Sequence, residues 1–313
     1  MYFSTSFTAA VCALVAAQGA AAAGAGKNWS LASFNGQNAN SWKSQFGVHQ
    51  WAYPQPGDKS GSNSNLNLVP NPTNSTEQVM QINYPKGTWN PADSPVIGGV
   101  GFYAAPIQVP STAKNISLTY DVYFPNGFQF NKGGKVMSQN IIERTAKAKD
   151  LMKLTLFTLK LPGLYANEIH CSGGASANSC WSSRFMWRAN GAGEIYAYIS
   201  KDQQVSNLCS QKQVICNQQY GYSFGRGSYT WQTGSWNTIT QNVQLNHPNQ
   251  QDGSLEVQHN GKTVIQMNNL MFQDALFSSV GIDFETFFGG STSDWASPAN
   301  QYAYFKGFQM SYQ

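Results

Sequence analysis

The chain has 313 residues, a formal net charge of +4, only 11% charged residues and 29 glycines. So small and dispersed an excess of positive charge is not the footprint of a nucleic-acid binder, and no segment beyond the N-terminal leader is apolar enough to cross a bilayer. Few charges with abundant Gly, Asn, Gln, Ser and aromatic residues is the composition of short strands joined by many turns.

The first 24 residues, MYFSTSFTAAVCALVAAQGAAAAG, form an apolar run ending in small residues. That is the pattern of a secretory signal with an A-x-A-like cleavage site, although no Lys or Arg precedes it. The expectation is a secreted protein whose residues 25–313 form a single domain. Removing the leader removes Cys12 and leaves Cys171, Cys180, Cys209 and Cys216, an even number for an oxidising compartment. Three pairings are possible, and proximity in sequence favours Cys171 with Cys180 and Cys209 with Cys216. The spacings do not offer the short C-x-x-C pattern of a zinc site. Asn28, Asn74 and Asn115 head N-glycosylation sequons.

Residues 53–76, rich in Pro, Asn and Ser, read as a loop. Strands follow from period-two alternation. In NISLTYDVYF, Ile116, Leu118, Tyr120, Val122 and Phe124 share a face; in YAYFKGFQMSY, the same is expected of Tyr302, Tyr304, Phe308, Met310 and Tyr312. SLEVQHNGKTVIQM places Asn260-Gly261 between two β-rich runs, a hairpin signal because both turn residues tolerate positive φ. The fold class is all-β, a jelly roll or two-sheet antiparallel sandwich.

Between these lies CWSSRFMWRANGAGEIYAYIS, residues 180–200. On a strand from 181 to 188, Trp181, Ser183, Phe185 and Trp187 project to one side, and Ser182, Arg184, Met186 and Arg188 to the other. With a turn at ANGAG and Arg188 opposite Glu194, Arg184 would face Tyr198 and Met186 would face Tyr196. A guanidinium and two phenols then lie within cross-strand reach.

KLPGLY at 160–165, CSGG at 171–174, SSRFMWR at 182–188, GAGEIYAY at 191–198, YGYSFGRGSY at 220–229 and FFGGS with DW at 287–295 together resemble polysaccharide lyase family fourteen, the group of alginate and glucuronan lyases, in a form like its fungal members. The resemblance covers roughly residues 80–313. It implies a β-jelly roll with an open cleft and a catalytic set of Lys160, Ser182, Arg184, Tyr196 and Tyr198. It also implies β-elimination on an acidic polysaccharide by a monomer, with no cofactor or metal. Such chemistry removes a weakly acidic C5 proton, so cations must neutralise the adjacent carboxylate, for which Arg184 offers a two-bond fork. A phenol favoured as its anion by those cations serves as base, the other phenol or Lys160 protonates O4, and Ser182 binds substrate. Arg188 and Arg226 are further substrate-binding candidates, Arg226 for a second carboxylate.

The resemblance breaks at one place. The family pattern reads approximately KGGKLPGLYG, but here KGGK ends at Lys135 and KLPGLY begins at Lys160. The intervening segment, 136–160, lacks Gly and Pro and is basic and helix-like, the character of a retained intron, with a genuine loop or lid as the alternative. Other groups carry less. Asp283 and Glu285 share a face in GIDFETFF and could be hydrolase carboxylates, though i, i+2 neighbours are close for an inverting pair. His170 has no triad context, and His49, His247 and His259 are expected in solvent. Trp295 and Phe288 are equally sugar-stacking or core residues. Two functions remain open: a lyase for a polyuronate, and a carbohydrate-binding jelly roll without turnover.

Overall fold

A computed structural model of the chain describes residues 27–38, 40–53, 65–91, 94–132, 160–167, 171–217, 219–272, 280–290 and 292–313. The leader with Cys12, Lys135, the insertion up to residue 159, and His170 lie outside the described residues. In chain order the strands are β1 (Lys27–Leu31), β2 (Val48–Tyr53), β3 (Leu66–Asn71), β4 (Asn74–Tyr84), β5 (Val100–Ala104), β6 (Asn115–Tyr123), β7 (Gly163–Ala166) and β8 (Trp181–Trp187). They continue as β9 (Gly193–Tyr198), β10 (Val214–Cys216), β11 (Tyr222–Phe224), β12 (Trp236–Gln244), β13 (Gly253–His259), β14 (Lys262–Leu270), β15 (Val280–Thr286) and β16 (Gln301–Tyr312). One short helix, α1 (Ser41–Phe46), precedes β2 and inserts Trp42 and Phe46 into the core.

Two antiparallel sheets pack face to face. One runs β14-β13-β12-β6-β16-β4-β3 with β1 against β16, and the other β10-β11-β9-β8-β7-β15-β5-β2. This is the all-β sandwich expected from the sequence. Between the sheets lie Ile116, Leu118, Tyr120 and Val122 of β6, Trp181, Phe185 and Trp187 of β8, and Ile195 and Ala197 of β9. Aromatic rings interlock there, with Phe102 stacked on Phe284 at 4.5 Å and Phe46 edge-on to Phe308 at 4.9 Å. Both expected disulfides are present, and Asn28, Asn74 and Asn115 are exposed.

The Asn260-Gly261 hairpin forms as read, with φ of 51° and 75°. The last strand departs from its reading. Phe308 and Met310 face the core, but so do Ala303 and Phe305, while Tyr302 and Tyr304 point outward. The cause is a register shift against β6 between Lys306 and Gln309, where Gly307 takes a φ of 65°. Such a bulge reverses the inward parity of every residue before it.

Candidate active site

The outer face of the second sheet collects the chemistry. Reading across the strands, Asp283 of β15 lies opposite Gly163 of β7, Gly163 opposite Arg184 of β8, Arg184 opposite Tyr196 of β9, and Tyr196 opposite Ser223 of β11. The expected faces of β8 and β9 are correct, but the register differs by two residues: Arg184 meets Tyr196 and Ser182 meets Tyr198. The turn is tighter than ANGAG. Arg188 N–H donates to Ala192 O at 2.7 Å around Ala189-Asn190-Gly191, with Asn190 and Gly191 both at positive φ.

Gly163 brings the charges together. A Cβ there would sit 2.0 Å from Ser183 O and 2.6 Å from Arg184 Cα, so only glycine admits this approach of β7 to β8. With no side chain between them, Arg184 reaches across β7: its Nη1 donates to Asp283 Oδ2 at 3.0 Å and to Glu285 Oε2 at 2.8 Å. Lys160 Nζ also donates to Glu285 Oε2. The Lys160 turn is fixed by Leu161 N–H on Phe185 O and by Tyr120 Oη on Pro162 O. Asp283 and Glu285 are therefore the counter-ions of Arg184 and Lys160. The sequence showed their shared face but not the glycine gap through which the cations reach them.

Arg184 is fully buried, and its Nε and Nη2 have no hydrogen-bond partner among the described residues; nor has Asp283 Oδ1. Burial weighs against the guanidinium's charge, but Asp283 and Glu285 hold its pKa above the ordinary arginine value. Burial, then Arg184, pulls Lys160 down. Burial and the neighbouring Glu285 push Asp283 up to about 7.

Both phenols are pushed up by burial, Tyr198 to about 12 and Tyr196 further. The expectation that nearby cations make a phenolate readily available is not met in the free protein: Arg184 still favours the Tyr198 anion and Arg188 that of Tyr196, but burial outweighs both. The phenols are not equivalent. Arg184 and the backbone amides of Gly173 and Gly174 favour the Tyr198 anion while Tyr220 opposes it; the Tyr198 phenol and Glu194 oppose the Tyr196 anion, which Gly221 N–H and Arg188 favour. Tyr196 Oη accepts from Gly221 N–H at 3.2 Å. Ser182, expected to hold substrate, donates to Cys171 O at 2.6 Å and so secures the disulfide-closed loop that carries those glycines.

Arg188 and Arg226 converge on Glu194. Arg188 Nε donates to Glu194 Oε1 at 2.8 Å and Arg226 Nε to Oε2 at 2.5 Å, so two cations share one carboxylate whose pKa they lower against its burial. Arg188 Nη1 is buried without a partner among the described residues. Lys160, Ser182, Arg184, Tyr196 and Tyr198 are all buried, with Cys171, Ala177, Cys180 and Tyr220 packed around the two phenols.

The remaining candidates fall away from this centre. Phe288 is core, against Tyr84 and Trp187, and Trp295 is buried. His259 is buried between Tyr229 and Trp231 rather than in solvent. His247 is exposed beside Asp252, and His49 is exposed with Nε2 2.8 Å from Tyr165 Oη.

The Polysaccharide lyase 14 family model matches residues 72–138 and 158–308 and passes over 139–157. Among solved structures, the marine PL-14 alginate lyase from Aplysia kurodai is 29% identical, with 90% of this chain and 97% of that one covered at a TM-score of 0.68. An alginate lyase from Chlorella virus is 25% identical over 75% and 85% of the two chains, at 0.58. The alginate lyase Aly36B shares the fold at 18% identity, with 90% and 96% covered at 0.59. Comparison with curated proteins gives no match.

Proposed function

The chain belongs to the polysaccharide lyase 14 family, and from that premise we propose that it is a secreted lyase cleaving a 4-linked polyuronate, alginate or glucuronan, by β-elimination. One observation carries the reading. Arg184 is held through Nη1 by two carboxylates, which leaves its Nε–Nη2 edge without a partner among the described residues, beside two phenols and Lys160. That edge is the side of a guanidinium that grips a carboxylate with two parallel bonds.

With a uronate carboxylate on Arg184, the charge that keeps C5–H from ionising is neutralised, and the anion forming at C5 is stabilised where it develops. Tyr198, whose anion is the better supported, takes the C5 proton. The freed electron pair forms the C4=C5 double bond as the C4–O4 bond breaks. Tyr196, still protonated, gives its proton to O4. Lys160 adds positive charge near the reacting carboxylate, and exchange with solvent restores both phenols. Arg188 and Arg226, two cations on one carboxylate, are suited to a second carboxylate further along the polymer.

The resistance of both phenols to ionisation favours a second reading, a binding module that holds polymer without turnover. The two are separated by incubating the protein with alginate and with glucuronan. A lyase generates an ultraviolet-absorbing unsaturated uronide, while a binding module retards in a polymer-containing gel and releases none.

A further inference from the structure

The buried cluster around Arg184 is incomplete in two opposite senses. Among the described residues, Arg184 Nε and Nη2 are donors without acceptors, and Asp283 Oδ1, in the carboxylate form that prevails above about pH 7, is an acceptor without a donor. Buried polar atoms are nearly always paired, and an unpaired charged one is costly. The two deficits adjoin, because Arg184 Nη1 is bonded to Asp283 Oδ2 at 3.0 Å, which keeps Oδ1 within about the width of one sugar ring of the free guanidinium edge. A carboxylate alone would satisfy the arginine and leave the aspartate unpaired. A uronate ring offers both missing partners, a carboxylate to accept and a ring hydroxyl to donate.

We propose that Asp283 determines specificity at this site by accepting a hydrogen bond from a free ring hydroxyl of the uronate whose carboxylate Arg184 holds, so that the enzyme discriminates against units O-acetylated at that hydroxyl. The inference rests on the polyuronate reading. It adds to that reading a role for Asp283 distinct from holding Arg184. An acetyl ester removes the donor and adds bulk beside Asp283, which is buried on the outer face with Tyr103 of β5 opposite it and Tyr165 of β7 opposite Gly281, both themselves buried. Glu285 shows no such deficit: its Oε2 accepts from both Arg184 and Lys160, and neither of its oxygens is buried without a partner.

The test compares an O-acetylated alginate with the same preparation after mild alkaline deacetylation, reading kcat/KM from unsaturated product. Sites built around a substrate hydroxyl reject its absence strongly, so the wild type should favour the deacetylated polymer by about ten-thousandfold. In Asp283→Ala the ratio should fall toward unity, whatever the overall loss of rate, because global damage cancels in a ratio. Asp283→Asn, nearly isosteric, serves if the alanine variant does not fold, and should also narrow the ratio. Equal cleavage of both polymers by the wild type, or an unchanged ratio in the variants, overturns the role of Asp283 while leaving the lyase reading intact. No product from either polymer or from glucuronan overturns the lyase reading and this inference with it.

Discussion

Replacing Asp283 with asparagine should change how stability depends on pH more than it changes stability at any one pH. Asp283 is buried, and burial together with Glu285 raises its pKa from 3.8 to about 7 in the folded protein. A carboxyl with a raised folded pKa holds its proton more tightly when folded than when unfolded. Its contribution is therefore fully present below about pH 4 and lost as pH rises through about 7. A displacement from 3.8 to about 7, at about 1.4 kcal/mol per pH unit, corresponds to about 4 kcal/mol between those limits. For a domain of this size that is about 10 °C in Tm. The substituted amide cannot titrate, and Glu285 still pairs with Arg184 in the variant. Thermal melts of both proteins from pH 4.5 to 8.5 should thus show the wild type losing about 10 °C more than the variant as pH rises. Parallel Tm profiles would refute the raised Asp283 pKa and the crowding of carboxylates that causes it.

Arg184→Lys should lose about a hundredfold in kcat/KM, since an ammonium cannot reproduce a fork that bonds Asp283 and Glu285 through one nitrogen and a carboxylate through the other edge; near-normal activity would remove Arg184 from the neutralising role. Tyr198→Phe should be more damaging than Tyr196→Phe. With Tyr198 at about 12, only about one molecule in ten thousand carries its phenolate at pH 8, so wild-type kcat/KM should climb about tenfold per pH unit up to about pH 10. A flat profile, or a Tyr198→Phe variant that keeps the slope, assigns the base elsewhere. Deleting 136–160 yields the same KGGKLPGLY as deleting 135–159, so a lysine stands before the turn in either case. Because the family match passes over 139–157, the deletion protein should fold with a Tm at least equal to that of the full chain; failure to fold would mean that the segment is integral.

The sandwich was legible because alternation survives wherever one strand face is core, as along β6 from Ile116 to Val122. Alternation failed in β16, where the bulge at Gly307 changes parity without a visible break in the pattern. The same limit explains the hairpin. The faces of Arg184, Tyr196 and Tyr198 follow from period two, but their register depends on whether three or five residues turn the chain, and Asn190-Gly191 is compatible with both. Local spacing also paired the cysteines correctly. What could not be read was non-local. Nothing near Asp283 or Glu285 in sequence indicates that β15 lies one glycine-bearing strand from β8, or that Arg188 and Arg226 converge on Glu194. Burial was equally invisible, and it turns two phenols expected to ionise easily into phenols that resist it.

The most direct measurement is ultraviolet absorbance during incubation with alginate, polymannuronate, polyguluronate and glucuronan, comparing wild type with Tyr198→Phe at matched Tm. A polyuronate lyase predicts steady growth of unsaturated uronide on at least one polymer, nearly abolished by the substitution. Polymer that is bound and retarded by a correctly folded wild type, with no absorbance gained on any of the four, would contradict it and leave a binding module in its place.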